Sequence, residues 1–133
     1  MAKRILIIDD DTYIRELYEE VLKGEGFDVV TAKNGEEGLA YLLTGGNDVV
    51  LLDVMMPKLD GIGVLTKLKE TQPKTPNGPI LLLTNLDHDP ILDQAVSLGV
   101  QKHLLKADML PPTLIEAVQT ALNGTATAHP QPD

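Results

Sequence analysis

The sequence predicts an α/β fold in which helices cover both faces of a parallel sheet. Three observations support this prediction. Short apolar runs with polar residues at both ends are typical of strands buried on both faces of such a sheet, and they occur at residues 5–8, 49–52, 80–83 and 103–105. Stretches with helical spacing alternate with these runs. The connections are short enough for right-handed crossovers between parallel strands.

Length and composition indicate one domain. The chain has 133 residues, 43% of them hydrophobic, which is enough for one core and too few for two ordinary domains. A formal net charge of −9 argues against non-specific binding to nucleic acid or to an anionic membrane. The chain has no cysteine, and its first apolar run is too short for a signal peptide or a membrane span. We therefore expect a cytoplasmic protein.

The elements of the first half follow from apolar spacing and from helix signals. After the first strand, a helical face is formed by Ile14, Leu17, Tyr18, Val21 and Leu22. Gly24 and Gly26 are candidate stop signals for this helix. Residues 27–31 are predicted to form a second strand. Asn34 is a candidate cap for a second helix that Gly45 and Gly46 end.

The second half repeats the pattern. A third strand ends at Asp53, and residues 61–68 have helical spacing. A proline-rich loop covers residues 72–79, and a fourth strand ends at Thr84. Asp89 and Pro90 are predicted to open a helix that closes near Gly99, and a fifth strand ends at Lys106. Pro111 opens a last helix, and residues 124–133 are predicted to be a frayed polar tail.

Polar residues follow the predicted strands at their carboxyl ends, and ligands bind at this edge of a parallel sheet. The residues are Asp9, Asp10, Asp53, Thr84 and Lys106. Three carboxylates at one place repel one another unless a cation neutralises them. Magnesium suits such a site, because it is usually held by one or two carboxylates, several waters and a phosphate.

Asp53 is the candidate reactive group. A carboxylate at the end of the central strand can attack phosphorus and form an aspartyl phosphate. Lys106 offers a point charge to a phosphoryl oxygen, and Thr84 offers a hydroxyl. Each residue alone also has a structural explanation: paired aspartates cap helices or line loops, threonine ends many strands, and lysine is usually solvated. The prediction therefore depends on their coincidence at one edge.

Taken together, these residues resemble the receiver domain of two-component response regulators over residues 3–123. The resemblance is carried by Asp9-Asp10-Asp11, by Asp53 with Pro57, Asp60 and Gly61 after it, and by Thr84 and Lys106 at the ends of apolar runs. It implies a doubly wound, flavodoxin-like three-layer sandwich with five helices and a five-stranded parallel sheet of order 2-1-3-4-5. We therefore divide the chain into a receiver domain, residues 1–123, and a tail, residues 124–133, which we expect to be disordered.

The resemblance also implies site roles. Asp53 would accept a phosphoryl group from a phosphohistidine of a sensor histidine kinase or a phosphotransfer protein. Asp10 and Asp53 would bind Mg²⁺ directly, with Mn²⁺ as a substitute, while Asp9 would bind through water and Met55 through its backbone carbonyl. Thr84 and Lys106 would hold the phosphoryl group. The chain would then be a signalling protein, catalysing only its own phosphorylation and dephosphorylation.

The implied output is a change of surface. Thr84 would move toward the phosphoryl group, and the side chain at position 103 would turn inward. The affected face, residues 89–122, would bind an unknown downstream protein. A homodimer through this face is left open.

Three positions depart from the family pattern. His103 stands where the family usually has tyrosine or phenylalanine, and we keep both a switching role and a purely structural role for it. Ala107 replaces the usual proline, so we predict a trans bond between Lys106 and Ala107. Met55 is apolar and cannot orient the hydrolytic water, so we expect slow loss of the phosphoryl group.

Three alternatives stay open beside the stand-alone receiver. The sequence is also compatible with the receiver of a longer regulator, whose linker would begin at Gly124. A phosphatase or dehalogenase with an aspartyl intermediate is disfavoured, because such enzymes usually carry an acid two residues after the nucleophile, where this chain has Met55. A degenerate receiver is disfavoured by the complete acidic set.

Overall fold

The protein is described from a computed structural model, which covers residues 2–86 and 89–127. Strands and helices alternate along these residues. In chain order they are β1 (Arg4–Ile8), α1 (Thr12–Gly24), β2 (Asp28–Ala32), α2 (Gly35–Thr44), β3 (Val49–Asp53), α3 (Gly61–Glu70), β4 (Ile80–Thr84), α4 (Pro90–Ser97), β5 (Lys102–Leu105) and α5 (Pro111–Thr127). A short 3-10 helix, Lys106–Asp108, joins β5 to the segment before α5.

The five strands form one parallel sheet in the order β2-β1-β3-β4-β5, which confirms the predicted fold class and strand order. The chain reverses its direction of winding between β1 and β3, so the loops after these two strands diverge. Doubly wound sheets bind ligands at such a switch point, beyond the carboxyl ends of the strands. We call this end of the sheet the carboxyl edge and the opposite end the amino edge.

Alternate residues of each strand pack on opposite faces of the sheet, because successive side chains of a strand point in opposite directions. On one face, Leu6, Ile8, Val50, Leu52 and Leu82 pack with residues of α2, α3 and α4. On the other, Ile5, Ile7, Leu51, Leu81 and Leu83 pack with residues of α1 and α5. The central strands are buried on both sides, which is why they read as continuous apolar runs.

Each of the first four helices is preceded by a residue whose side chain caps it. The side chains of Asp11, Asn34, Asp60 and Asp89 accept hydrogen bonds from the first-turn amides of α1, α2, α3 and α4. Two of these caps (Asn34 and Asp89) agree with the sequence prediction. No helix among the described residues is both long enough and apolar enough to span a bilayer.

Two strand boundaries differ from the prediction. The second strand begins at Asp28, since the amide of Phe27 donates to Leu22 of α1 and closes the helix instead of joining the sheet. The fifth strand ends at Leu105, which pairs with the last residue of β4. Lys106 begins the 3-10 helix, and its carbonyl accepts from Met109.

The predicted tail is also partly wrong. Helix α5 continues to Thr127, so residues 124–127 are helical and not frayed. Each residue added to an existing helix gains a backbone hydrogen bond, and this cooperativity extends helices beyond their apolar pattern. Residues 128–133, the rest of the predicted tail, lie outside the described residues, and the division into domain and tail stays a prediction.

A polar network closes the amino edge. The amide nitrogen of Asn47, a buried side chain, donates to Oδ1 of Asn77 over 2.8 Å, and the amide nitrogen of Asn77 donates to the carbonyl of Leu42 over 2.9 Å. Backbone bonds from Lys74 to Leu43 and from Gly78 to Asn47 tie the same two segments. The proline-rich loop is therefore fixed against the connection between α2 and β3.

Candidate functional site

The sheet register brings the predicted site residues to one edge. Ile8 of β1 lies opposite Leu52 of β3, so Asp9 and Asp53, one residue further along, lie side by side. Thr84 is the last residue of β4 and lies opposite Leu105, which precedes Lys106. Asp53 and Thr84 thus end their strands, Asp9 and Lys106 directly follow theirs, and Asp10 follows Asp9 in the loop.

Three carboxylates form a cluster at this edge. One side-chain oxygen from each of Asp9, Asp10 and Asp53 lies within 4.8 Å of the other two. Asp9 and Asp53 are buried, while Asp10 is exposed. A set of oxygen donors that reaches water on one side suits Mg²⁺, which prefers carboxylate oxygens and keeps several waters.

Lys106 supplies positive charge to the cluster. Its Nζ lies 2.8 Å from Oδ2 of Asp9 and 3.4 Å from Oδ1 of Asp53. Apart from this ion pair, the fully buried Oδ2 of Asp9 has no partner in hydrogen-bond geometry among the described residues. One ammonium cannot balance three carboxylates. This deficit of positive charge, together with the orphaned oxygen, fits a cation site.

The pKa values of the cluster follow from burial and charge. Burial, and then the neighbouring Asp9, raise the pKa of Asp53 to about 7, although Lys106 and the amide of Met55 act in the opposite direction. Burial alone would lower the pKa of the Lys106 ammonium, but Asp9 and Asp53 outweigh it and leave that pKa above its ordinary value. Asp53 is therefore a carboxyl whose charged form requires more positive charge than the described residues around it provide.

Thr84 is positioned by the turn that follows β4. Its side chain is buried, and its Oγ1 accepts a hydrogen bond of 2.8 Å from the amide of Leu86. This contact uses the oxygen as an acceptor and leaves the hydroxyl hydrogen for another acceptor. The described geometry therefore suits donation to an oxygen-rich ligand at the carboxyl edge.

The loop after β3 is held close to Asp53. A Cβ on Gly61 would lie 2.7 Å from the carbonyl oxygen of Asp53, so only glycine allows α3 to begin here. The amide of Gly61 donates to Val54 over 3.0 Å. Lys58 has a φ of 69° at the centre of a tight turn, in which Leu59 donates to Pro57. These contacts fix the backbone around Met55, whose amide lies 3.2 Å from Oδ1 of Asp53.

The structure also describes the three positions that depart from the family pattern. His103 is exposed on β5, an edge strand, and its role as a switch stays a prediction. The bond between Lys106 and Ala107 is trans, as we predicted. Met55 is 62% exposed, and its backbone amide lies next to Asp53 of the acidic cluster.

Sequence reasoning missed two neighbours of the site. Arg15 donates to the carbonyl oxygen of Asp9 over 2.8 Å and thereby fixes the start of α1 against β1. Tyr18, which we predicted only as part of a helical face, is buried close enough to Lys106 and Asp9 to feel their charges. Burial raises the pKa of its phenol. The helical spacing of Tyr18 predicted its burial but not this neighbourhood.

Comparison with known proteins identifies relatives of the whole described fold. The family described as response regulator receiver domain matches residues 5–119. The alkaline phosphatase synthesis transcriptional regulatory protein PhoP of Bacillus subtilis is 39% identical over 106 residues, which cover 80% of this chain and 43% of PhoP. The uncharacterized transcriptional regulatory protein YkoG of the same organism is 36% identical over 125 residues, covering 92% of this chain and 53% of YkoG. The chain thus spans about half the length of these curated relatives.

Solved structures agree with these matches. A CheY-like response regulator receiver domain protein from Methanospirillum hungatei superposes with a TM-score of 0.84 at 26% identity, over 97% of this chain and all of that one. The response regulator protein TrrA of Thermotoga maritima, solved in complex with Mg²⁺ and BeF, has a TM-score of 0.74 at 33% identity, over 90% of this chain and 99% of that one.

Proposed function

Because the chain belongs to the family of response regulator receiver domains of two-component systems, we propose that Asp53 is its phosphoacceptor. The observation that carries this proposal is the geometry at the carboxyl edge: one buried carboxyl at the end of the central strand lies within reach of two acids and one ammonium. Phosphoryl transfer depends mainly on positioning and on neutralising charge, and this arrangement supplies both.

The transfer itself is a displacement at phosphorus. A carboxylate oxygen of Asp53 forms a bond to phosphorus while the bond from phosphorus to the donor imidazole nitrogen breaks, and the imidazole leaves with that electron pair. Lys106 already contacts the Asp53 carboxylate at 3.4 Å, so its charge stabilises an incoming phosphoryl oxygen at the same place. The hydroxyl hydrogen of Thr84 is donated to another of these oxygens.

Asp10 and Asp53 hold Mg²⁺ directly in this proposal, Asp9 holds it through water, and the carbonyl of Met55 completes the protein ligands. Mn²⁺ has the same preference for oxygen and is a substitute. When bound, the cation neutralises the carboxylates and the phosphoryl oxygens, so that Asp53 is ionised at neutral pH despite its raised pKa.

The partners follow from the chemistry. The donor is a phosphohistidine on a sensor histidine kinase or on a phosphotransfer protein, and in our proposal this chain receives the phosphoryl group in the cytoplasm. The output is protein binding by the face formed by α4, β5 and α5, with Thr84 and His103 as the switch. The chain catalyses only its own phosphorylation and dephosphorylation. This chemistry is the same for a stand-alone receiver and for the receiver of a longer regulator.

Intact mass spectrometry after incubation with a small phosphodonor and Mg²⁺ tests the proposal. We expect wild type to gain one phosphoryl group, and the gain to disappear in Asp53→Asn and after chelation of the metal. Asp60→Asn is the matched control, because Asp60 caps α3 and its side chain lies outside the acidic cluster. An equal gain in Asp53→Asn would refute Asp53 as the acceptor.

A further inference from the structure

The methionines of this chain differ sharply in exposure. The chain has no cysteine, so its sulfur chemistry lies in four methionines. Met55 is 62% exposed, its neighbour Met56 is 7% exposed, and Met109 is partly buried against the core formed with α1 and α5. Oxidation of methionine to the sulfoxide follows exposure of the sulfur. Among the three methionines that the structure describes, Met55 is therefore the one open to oxidants.

The exposure of Met55 is built into the backbone. Val54 and Met56, on either side of it, are both anchored in the core that faces α2, α3 and α4. The bond from the amide of Gly61 to Val54 and the close contact of Gly61 with Asp53 hold this segment in place. With both neighbours turned inward, Met55 has to face outward. Its side chain cannot withdraw into the core without moving the end of β3.

Met55 is also coupled to Asp53. Its amide lies 3.2 Å from Oδ1 of Asp53, so the backbone of this exposed residue is fixed next to the proposed phosphoacceptor. A change in the polarity of this side chain therefore changes the environment of the water that reaches Asp53. The thioether is a weak acceptor, whereas the sulfoxide oxygen is a strong one.

We propose that Met55 is an oxidation site, and that its sulfoxide shortens the lifetime of the phosphorylated state; the second half of this proposal rests on the proposed function. The oxidant is a hydroperoxide. A sulfur lone pair of Met55 bonds to the terminal peroxide oxygen and the O–O bond breaks. The departing oxygen takes up the proton that the transferred oxygen gives up, and leaves as water when the oxidant is hydrogen peroxide or as an alcohol when the peroxide is organic. The sulfoxide oxygen then accepts a hydrogen bond from water beside Asp53 and holds that water for attack on the phosphoryl group.

The first test maps the oxidation and needs no phosphorylation. The folded chain of 133 residues is treated with hydrogen peroxide, and peptides that contain each methionine are followed by mass spectrometry. We expect Met55 to be oxidised first, and Met56 to become reactive only when urea unfolds the protein. Met55→Leu should remove the fast phase, whereas Met56→Leu should keep it. Equal rates at Met55 and Met56 in the folded protein would overturn the inference.

The second test measures the consequence. Oxidised and untreated wild type are loaded with a small phosphodonor and Mg²⁺, and the loss of the phosphoryl group is followed by intact mass. We expect loss to be about two- to tenfold faster after oxidation, the range that one added hydrogen bond supplies. Methionine sulfoxide reductase should restore the slow rate, and peroxide should not accelerate loss in Met55→Leu.

Unchanged lifetimes in oxidised wild type would overturn the second half of the inference. The unoxidised Met55→Gln variant carries a permanent polar acceptor and should also lose the group faster than wild type. If untreated wild type takes up no phosphoryl group at all, the proposed function fails, and the peroxide map alone then decides whether Met55 is an oxidation site.

Discussion

Buried polar groups are fully paired at one end of the sheet and incompletely paired at the other. At the amino edge, the buried amide of Asn47 is paired with Asn77, and Asn77 is paired in turn with the carbonyl of Leu42. At the carboxyl edge, among the residues that the structure describes, the buried Oδ2 of Asp9 has only its ion pair with Lys106, and this ammonium is the one cation paired with the cluster of three acids. A satisfied polar network stabilises a fold, whereas an unsatisfied one costs stability unless a ligand completes it. The comparison therefore separates a structural end from a binding end.

Among the substitutions that test this difference between the two ends, removal of the Lys106 ammonium should have the largest effect on stability. We expect Lys106→Met to lower the free energy of unfolding at pH 8 in chelator by about 2–4 kcal/mol, because it leaves buried Asp9 without a counter-charge. Urea denaturation measures the loss, and added Mg²⁺ should recover part of it. Lys102→Met, at an exposed lysine of β5, is the matched control and should change little. A wild-type midpoint in Lys106→Met would contradict the assignment of unbalanced charge to this edge.

A substitution that removes the polar network at the amino edge tests the other side of this comparison. Asn77→Ala leaves the buried amide of Asn47 and the carbonyl of Leu42 without their partners, and we expect a loss of about 1–3 kcal/mol in urea denaturation. Phosphoryl uptake by intact mass should stay at the wild-type level, since the substitution is at the opposite end of the sheet. Asn123→Ala, at an exposed position of α5, provides the control. Loss of uptake in the folded Asn77→Ala protein would show that the two ends are not independent.

A smaller effect is expected from pH. The folded-state pKa of Asp53 is raised to about 7, so the folded protein holds a proton that the unfolded chain releases at lower pH. The contribution of Asp53 to stability without metal should therefore be greatest in acid and be lost as the pH rises through 7. Relative to Asp53→Asn, the free energy of unfolding of wild type should fall by about 1–2 kcal/mol between pH 5 and pH 8. This is less than the full pKa shift would give, because Lys106 and water screen the charge of the carboxylate. Parallel pH profiles for the two proteins would contradict the raised pKa.

Local sequence patterns predicted most of the fold and the members of the site. The apolar runs before Asp9, Asp53 and Thr84 indicated buried parallel strands, and the parallel sheet then required their carboxyl ends to meet. Capping residues such as Asn34 fixed helix starts, because a cap depends on neighbours in sequence.

The remaining features depend on contacts between residues far apart in the chain. The pairing of Asn47 with Asn77 spans 30 positions, and neither residue has a local signal for it. Gly61 was visible as a motif residue, but its contact with the carbonyl oxygen of Asp53 depends on how α3 meets β3. The boundary between β5 and the 3-10 helix depends on where β4 ends, which no pattern around Lys106 shows.

Calorimetric titration with Mg²⁺ tests the binding end most directly. The account predicts that wild type and Asn77→Ala each bind one ion in the millimolar range or tighter, and that the double variant Asp9→Asn, Asp10→Asn binds none. Ion uptake by the double variant equal to that of wild type, or no uptake by wild type, would contradict a cation site at the carboxyl edge.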